Sequence, residues 1–209
     1  ILNSQIDFRM SDIYVTMVAE VTNVSKMNEC RIDVQPVVNK KYIDGEIMAY
    51  PEILSVPVQF PSSSTSALTF PINQGDNVLL VFSQKGLDVF KSGATSAHDP
   101  IDMRSFDKRD AIAIPCVNPF SKSINNPDTR TLTHSVDDMV MTHNIGSVNE
   151  CEFRLTSSGE TWVMSKHTKV SASLRTGGGL VVGTGATGSF TTPLGQVVTV
   201  SDGIITNIF

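Results

Sequence analysis

The sequence predicts an all-β protein, in which an OB-type barrel is followed by a β-rich segment that stacks against copies of itself. Three observations carry this. Short runs of period-2 alternation fill the first half of the chain. One of them, Val78–Phe82, is apolar without a break. The last stretch, Gly177–Phe209, is rich in Gly, Thr and Val and has few large side chains.

Composition sets the bounds. The chain has 209 residues, 40% of them hydrophobic, enough for one large domain or two small ones with a real core. Charged residues are 18% and the formal net charge is −5, against the basic excess that phosphate binding needs. No apolar run approaches the length of a bilayer-spanning helix. The first residues, with Asp7 and Arg9, do not resemble a secretory signal. Cys30, Cys116 and Cys151 are widely spaced and odd in number, which reads as reduced thiols of a protein made in a cytoplasm.

Ile6, Met10, Ile13, Tyr14, Met17, Val18 and Val21 recur at spacings of three and four and predict one amphipathic helix, with Ser4 or Ser11 as cap. A strand over Val15–Val21 competes with its second half. From Glu20 the period changes to two. Ile32 and Val34 alternate with Arg31, Asp33 and Gln35, and Pro36 puts the strand end at an edge or bulge. Leu54, Val56, Val58 and Phe60 form the next apolar row, and Leu68, Phe70 and Ile72 another. Asn73-Gln74-Gly75-Asp76 is a turn. The unbroken run Val78–Phe82 predicts a strand covered on both faces, as in a small closed barrel. Ala111–Cys116 is a further short strand, and the polar Ser83–Arg109 between them reads as a long loop with a helical turn.

Ser121–Arg130 has the composition of a linker. Beyond it Cys151, Phe153 and Leu155 alternate with Glu150, Glu152 and Arg154, Ser157-Ser158-Gly159 turns the chain, and Val170, Ala172 and Leu174 alternate with polar residues. Gly177–Phe209 holds eight of the 14 glycines and one charge, Asp202. Such a segment cannot build a core alone. It is either disordered or wound closely against other copies. The alternation of Val198 and Val200, then Ile204, Thr206 and Ile208 across an Asp202-Gly203 turn, favours the second. The resulting division is an N-terminal helix or arm over 1–17, a barrel over 18–120, a linker over 121–145 and the stacked segment over 146–209.

No catalytic or metal-binding residue and no cofactor is assigned. Gly183-Thr184-Gly185-Ala186-Thr187-Gly188 fits G-x-G-x-x-G, but strand-and-turn residues follow where a phosphate-binding helix must start. His98, His134, His143 and His167 are scattered. His134 with Asp137 and Asp138 is the nearest approach to a ligand cluster and reads as a solvated polar segment. No nucleophile motif is present. The Lys40-Lys41 and Lys108-Arg109 pairs are isolated loop charges, and the few aromatics are mostly strand-interior Phe, so a base-stacking groove is not expected.

Ser55-Val56-Pro57-Val58, Leu68-Thr69-Phe70-Pro71-Ile72, Gly75-Asp76, Val78–Ser83, Arg104 and Asp110–Pro115 resemble, in order and spacing, the N-terminal OB-fold domain of the central spike proteins of contractile-tailed bacteriophages. The resemblance runs from about Val18 to Phe120. It implies a homotrimer: an OB-fold barrel, then a trimeric intertwined β-helix or β-prism with Val170, Ala172, Leu174, Val198 and Val200 in the trimer interface. It also implies a virion protein of the tail baseplate, made in the host cytoplasm, that meets the tail tube or hub proteins and transiently contacts the host outer membrane. The metal-binding H-x-H tip motif of many such spikes is missing. Ile204, Ile205, Ile208 and Phe209 are instead expected to dock a separate apex protein. Two other functions are carried alongside: a trimeric receptor-binding tail protein, and an OB-fold nucleic-acid-binding module, which the acidic charge disfavours.

Overall fold

The computed structural model describes residues 13–42, 44–115, 117–172, 174, 177, 187–201 and 204–208. The fold is all-β in character. The chain divides into two units, Ile1–Thr129 and Arg130–Phe209.

The first unit is built on a five-stranded antiparallel sheet of β1 (Thr16–Asn23), β2 (Arg31–Pro36), β5 (Ile53–Pro57), β6 (Asn77–Phe82) and β7 (Ala111–Pro115), in the order β5-β2-β1-β6-β7. A two-stranded ribbon, β3 (Lys40–Lys41) with β4 (Ile47–Met48), lies between β2 and β5 in the chain. The outermost strands of the order come together: Val58 and Ala113 form a parallel bridge, and the Gln59 N–H donates to the Ala113 carbonyl at 2.8 Å. The sheet therefore curls around one apolar core that includes Ala19, Val21, Ile32, Val34, Val78 and Leu80.

β1 settles the competition at the N-terminus. Val15–Val21 is extended, not helical, because β1 pairs with β2 on one side and β6 on the other. Val15, Thr16, Val18 and Val21 are β-branched and fit a paired strand better than a helix. The part of the expected helix before Ile13 lies outside the described residues. β6 has β1 and β7 as neighbours, with Val78, Leu80 and Phe82 buried and Leu79 and Val81 half-buried. One face is therefore fully covered and the other, expected to be covered as well, is covered in part.

Two expected rows differ. Leu54 was expected on the core face with Val56, yet it is exposed and Ile53 is buried instead. Ser55 takes a left-handed φ of 54°, and the register steps from Ile32↔Val56 to Val34↔Ile53. One extra residue on β5 reverses the alternation, as a bulge does. Leu68, Phe70 and Ile72 form no strand. Only Ile72 is buried, while Phe70 packs edge-on against Phe60 at 5.2 Å. Pro61 and Pro71 lack the N–H that a ladder needs.

Within Ser83–Arg109 the helical turn is α1 (Asp88–Lys91). The rest is tied back by Arg104. Its Nε donates to Asp110 Oδ2 at 2.6 Å and its Nη2 to Asp110 Oδ1 at 2.8 Å, Nη1 donates to Asp102 at 2.8 Å, and Nη2 also meets Asp88.

The described residues of the second unit form two three-stranded antiparallel sheets. One is β10-β9-β8, from β8 (Met139–His143), β9 (Cys151–Leu155) and β10 (Thr161–Met164). The other is β11-β12-β13, from β11 (Gly188–Thr191), β12 (Val197–Ser201) and β13 (Ile204–Ile208). β8 lies inside the segment expected as linker over 121–145. Its Met139-Val140-Met141 core carries strand-forming residues that the polar flanks obscured. The expected strand through Val170 and Ala172 does not form, since the described residues 165–172 belong to no strand.

Candidate assembly surfaces

The β8-β9-β10 sheet is turned inside out relative to an ordinary water-facing sheet. Strand alternation puts β9 Glu152 and Arg154 on one face and Cys151, Phe153 and Leu155 on the other. Pairing extends each face across the sheet. Val140, Arg154 and Trp162 align, as do Thr142, Glu152 and Met164. On the opposite face Met141, Phe153 and Val163 align, as do Met139, Leu155 and Thr161.

The polar face is buried at its centre, on β9, while Trp162 at its β10 side is exposed. Glu152 is 3% exposed and Arg154 7%. The segment from Arg130 to His134 supplies the partners. Arg130 Nη2 donates to Glu152 Oε2 at 2.9 Å and to Thr142 Oγ1 at 2.8 Å, and lies 3.3 Å from Glu150 Oε1. Arg154 Nε donates to Glu152 Oε1 at 2.6 Å, its Nη2 donates to the Thr133 carbonyl, and its Nη1 is 3.6 Å from Asp138. Two guanidiniums thus face three carboxylates away from water, where unpaired charge would be costly. Burial pushes the Glu150 carboxyl up, but N–H groups of Gly146 and Thr131 and the Arg130 charge bring it below its ordinary value. Arg130 Nε and Glu150 Oε1 are buried without a hydrogen-bond partner among the described residues.

The apolar face is the open one. Met139, Met141, Phe153, Leu155 and Val163 are between 40% and 68% exposed. In the second sheet Phe190, Val198 and Ile208 align on one face and Ser189, Thr199 and Asn207 on the other. Val198 is buried beneath its two exposed neighbours.

The residues expected to contact other copies fall as follows. Val198 is buried and Val200 half-buried, both on β12, while Val170, Ala172 and Leu174 are exposed and outside any strand. Ile205 and Ile208 on β13 are exposed. Ile204 is in the same strand, and Phe209 lies outside the described residues. Reasoning from sequence missed Met139, Met141 and Val163. Its signal was present in β9, where the apolar row was recognised but its uncovered state was not. His134 is 3.2 Å from Arg130 through Nδ1, and Asp138 meets Arg154, so this cluster is engaged with guanidiniums. Among the described residues no group of three or more His, Cys, Asp or Glu is placed to hold a metal.

The curled sheet of the first unit, from Glu20 in β1 to the end of β7, is the part that finds a counterpart among known families. Residues 20–116 match the family model of the phage protein Gp138 N-terminal domain. The similarity to Gp138 supports a bacteriophage structural protein. It stops just after β7, so the second unit lies beyond the Gp138 match. A comparison with curated proteins finds no match.

Proposed function

We propose that the chain is a central spike or hub protein of a contractile phage tail baseplate, working as a homotrimer, with an OB-type barrel as its first unit. The strand order carries this reading. Five strands in the order β5-β2-β1-β6-β7, with the outer two bridged in parallel through Val58 and Ala113, support it, because an OB barrel is a five-stranded Greek-key sheet that curls in this way. The match to a phage N-terminal domain covers the same strands.

In this reading three barrels form a collar against the tail tube or hub, closing the tube end. The second units project toward the cell as a trimeric β-helix or β-prism and help to puncture the outer membrane. The Ile204–Ile208 strand and Phe209 dock a separate apex protein. In a parallel trimer three apolar ends meet there, and such a patch is a binding surface. The protein's place is the virion, at the tail baseplate.

Light scattering on the purified chain tests the trimer. The expected mass is three times that of the chain, and a stable, folded monomer overturns it. Gold-labelled antibody against the chain tests the location: label at the baseplate is expected, and label confined to the head or absent from intact particles rejects it.

A further inference from the structure

We infer that Trp162 is a stacking platform for a neutral carbohydrate, with Glu160 at the edge of its ring to accept the sugar's hydroxyls. The inference is independent of the oligomer and of the phage role proposed above.

The sheet builds the platform. Trp162 is the one tryptophan of the chain. It stands on β10, at one end of the order β10-β9-β8, and its register partner on β9 is Arg154. The Arg154 guanidinium lies over the ring, 5.8 Å from the centroid. Arg154 is itself fixed by Glu152 and the Thr133 carbonyl. At the edge of the ring, Trp162 Nε1 donates to Glu160 Oε2 at 3.1 Å. The turn before β10 holds Glu160 in place. Its N–H donates to Thr156 Oγ1 at 2.9 Å, and its carbonyl accepts the Thr156 N–H at 2.9 Å. The indole is thus set from its edge and from one face, yet Trp162 remains 45% exposed. Covering Arg154 accounts for one face only. A ring already held still has less freedom left for a ligand to remove.

The surroundings choose the ligand. An aromatic face carries negative charge density, and the C–H groups of a sugar ring present the opposite sign. A carboxylate has about four lone-pair sites, and the indole N–H uses one at Glu160. The others can accept hydroxyls. Ser157 and Ser158 in the same turn are exposed and add hydroxyls of their own. An apolar side chain laid on the ring would take water from this carboxylate and return no hydrogen bond. A nucleobase also stacks on aromatic rings, but it brings a charged backbone. That backbone would meet Glu160 on a chain of net charge −5, and the guanidinium beside the ring, Arg154, is 7% exposed and already paired. A neutral, polyhydroxylated ring meets neither cost.

Tryptophan emission of the full-length protein tests this, because Trp162 is its sole source. Three neutral probes, oligomers of glucose, galactose and N-acetylglucosamine, are titrated to millimolar concentration, with oligothymidylate as the anionic comparison. At least one sugar should move the emission saturably to shorter wavelength as the ring leaves water. Glu160→Ala keeps the tryptophan and should raise that sugar's half-saturation roughly tenfold, as expected for losing a hydrogen bond to a charged group. No shift with any of the three sugars overturns the inference and leaves Trp162 as a cover for Arg154. A shift with oligothymidylate alone overturns it too, and assigns the ring to single-stranded nucleic acid. A sugar shift that Glu160→Ala leaves unchanged overturns the site as drawn. If Glu160→Ala does not fold, iodide quenching of the unaltered protein decides: the sugar must shield Trp162, and unchanged quenching overturns the inference.

Discussion

The Asp33 carboxylate accepts the Ser55 N–H at 2.7 Å, across the step where β2 and β5 change register. It also accepts from Asn23 Nδ2 at 3.0 Å. The contact holds Ser55 in its left-handed conformation and so decides which side chains of β5 face the core. Asp33→Ala should leave that N–H without its partner and cost about 1–3 kcal/mol. Ser55→Val should be worse than Ser55→Gly, because a left-handed backbone costs roughly 1–2 kcal/mol for residues with a Cβ. Urea unfolding of the three variants checks both statements, and equal stability of Ser55→Val and Ser55→Gly would contradict the second.

Arg104 and Asp110 form a forked pair, with Asp110 almost fully buried at 1% exposure. Removing Asp110 leaves Arg104 only Asp88 and Asp102 and takes the acceptor from the Leu87 N–H. Asp110→Ala should destabilise the first unit by about 1–3 kcal/mol. Because Arg104 also gathers Asp88 and Asp102, limited proteolysis should then cut within Ser83–Arg109 well before the strands. A variant with unchanged cutting would show that the loop is held by something else.

Acid should weaken both units. Burial pushes the Asp110 carboxyl up, but hydrogen bonds from Arg104 and the Leu87 N–H and the Arg104 charge bring it below its ordinary value. Glu150 is lowered as well. A carboxyl whose folded value is depressed stabilises the fold fully above its unfolded value, about 4. That contribution is lost as pH falls through the lowered folded value. Unfolding free energy should therefore be level near neutrality and fall below about pH 4. In Asp110→Asn the fall should be shallower, and an unchanged slope would count against the assignment.

Deleting Gly177 onward removes β11, β12 and β13 with the Val198 row. The thermal midpoint should drop and monomers should appear in light scattering. An unchanged oligomer would place the whole association upstream of Gly177.

Changing Ile208 and Phe209 together to Ser separates docking from capping. With docking, the trimer survives while assembled particles lose a small distal subunit and infectivity. If particles stay complete and only the trimer's thermal midpoint falls, these residues cap their own end and the docking proposal is wrong.

The strands of the first unit were legible where alternation was uninterrupted. Ile32 and Val34 are buried as their spacing predicts, whereas the unbroken run Val78–Phe82, expected to be covered on both faces, buries Val78, Leu80 and Phe82 and leaves Leu79 and Val81 half-buried. Reading failed where one residue altered the period. Ser55 reversed β5 without any local signal beyond a small polar residue, and Pro71 left Leu68 and Phe70 out of the ladder. In the second unit, alternation located β9 correctly but could not say which face is covered. Periodicity distinguishes two faces. Burial depends on the Arg130–His134 segment, whose partners are far enough along the chain that no pattern reveals them.

The parallel bridge between Val58 and Ala113 has a kinetic consequence. β1, β2 and β5 follow one another closely and can zip as each turn forms. The bridge cannot form until β7 has left the ribosome and the long segment between β5 and β7 has been gathered in. Closing so long a loop costs entropy before any contact repays it. Folding of the first unit should therefore wait on its last strand, and a nascent chain arrested before Ala111 should hold an open, exchange-labile meander.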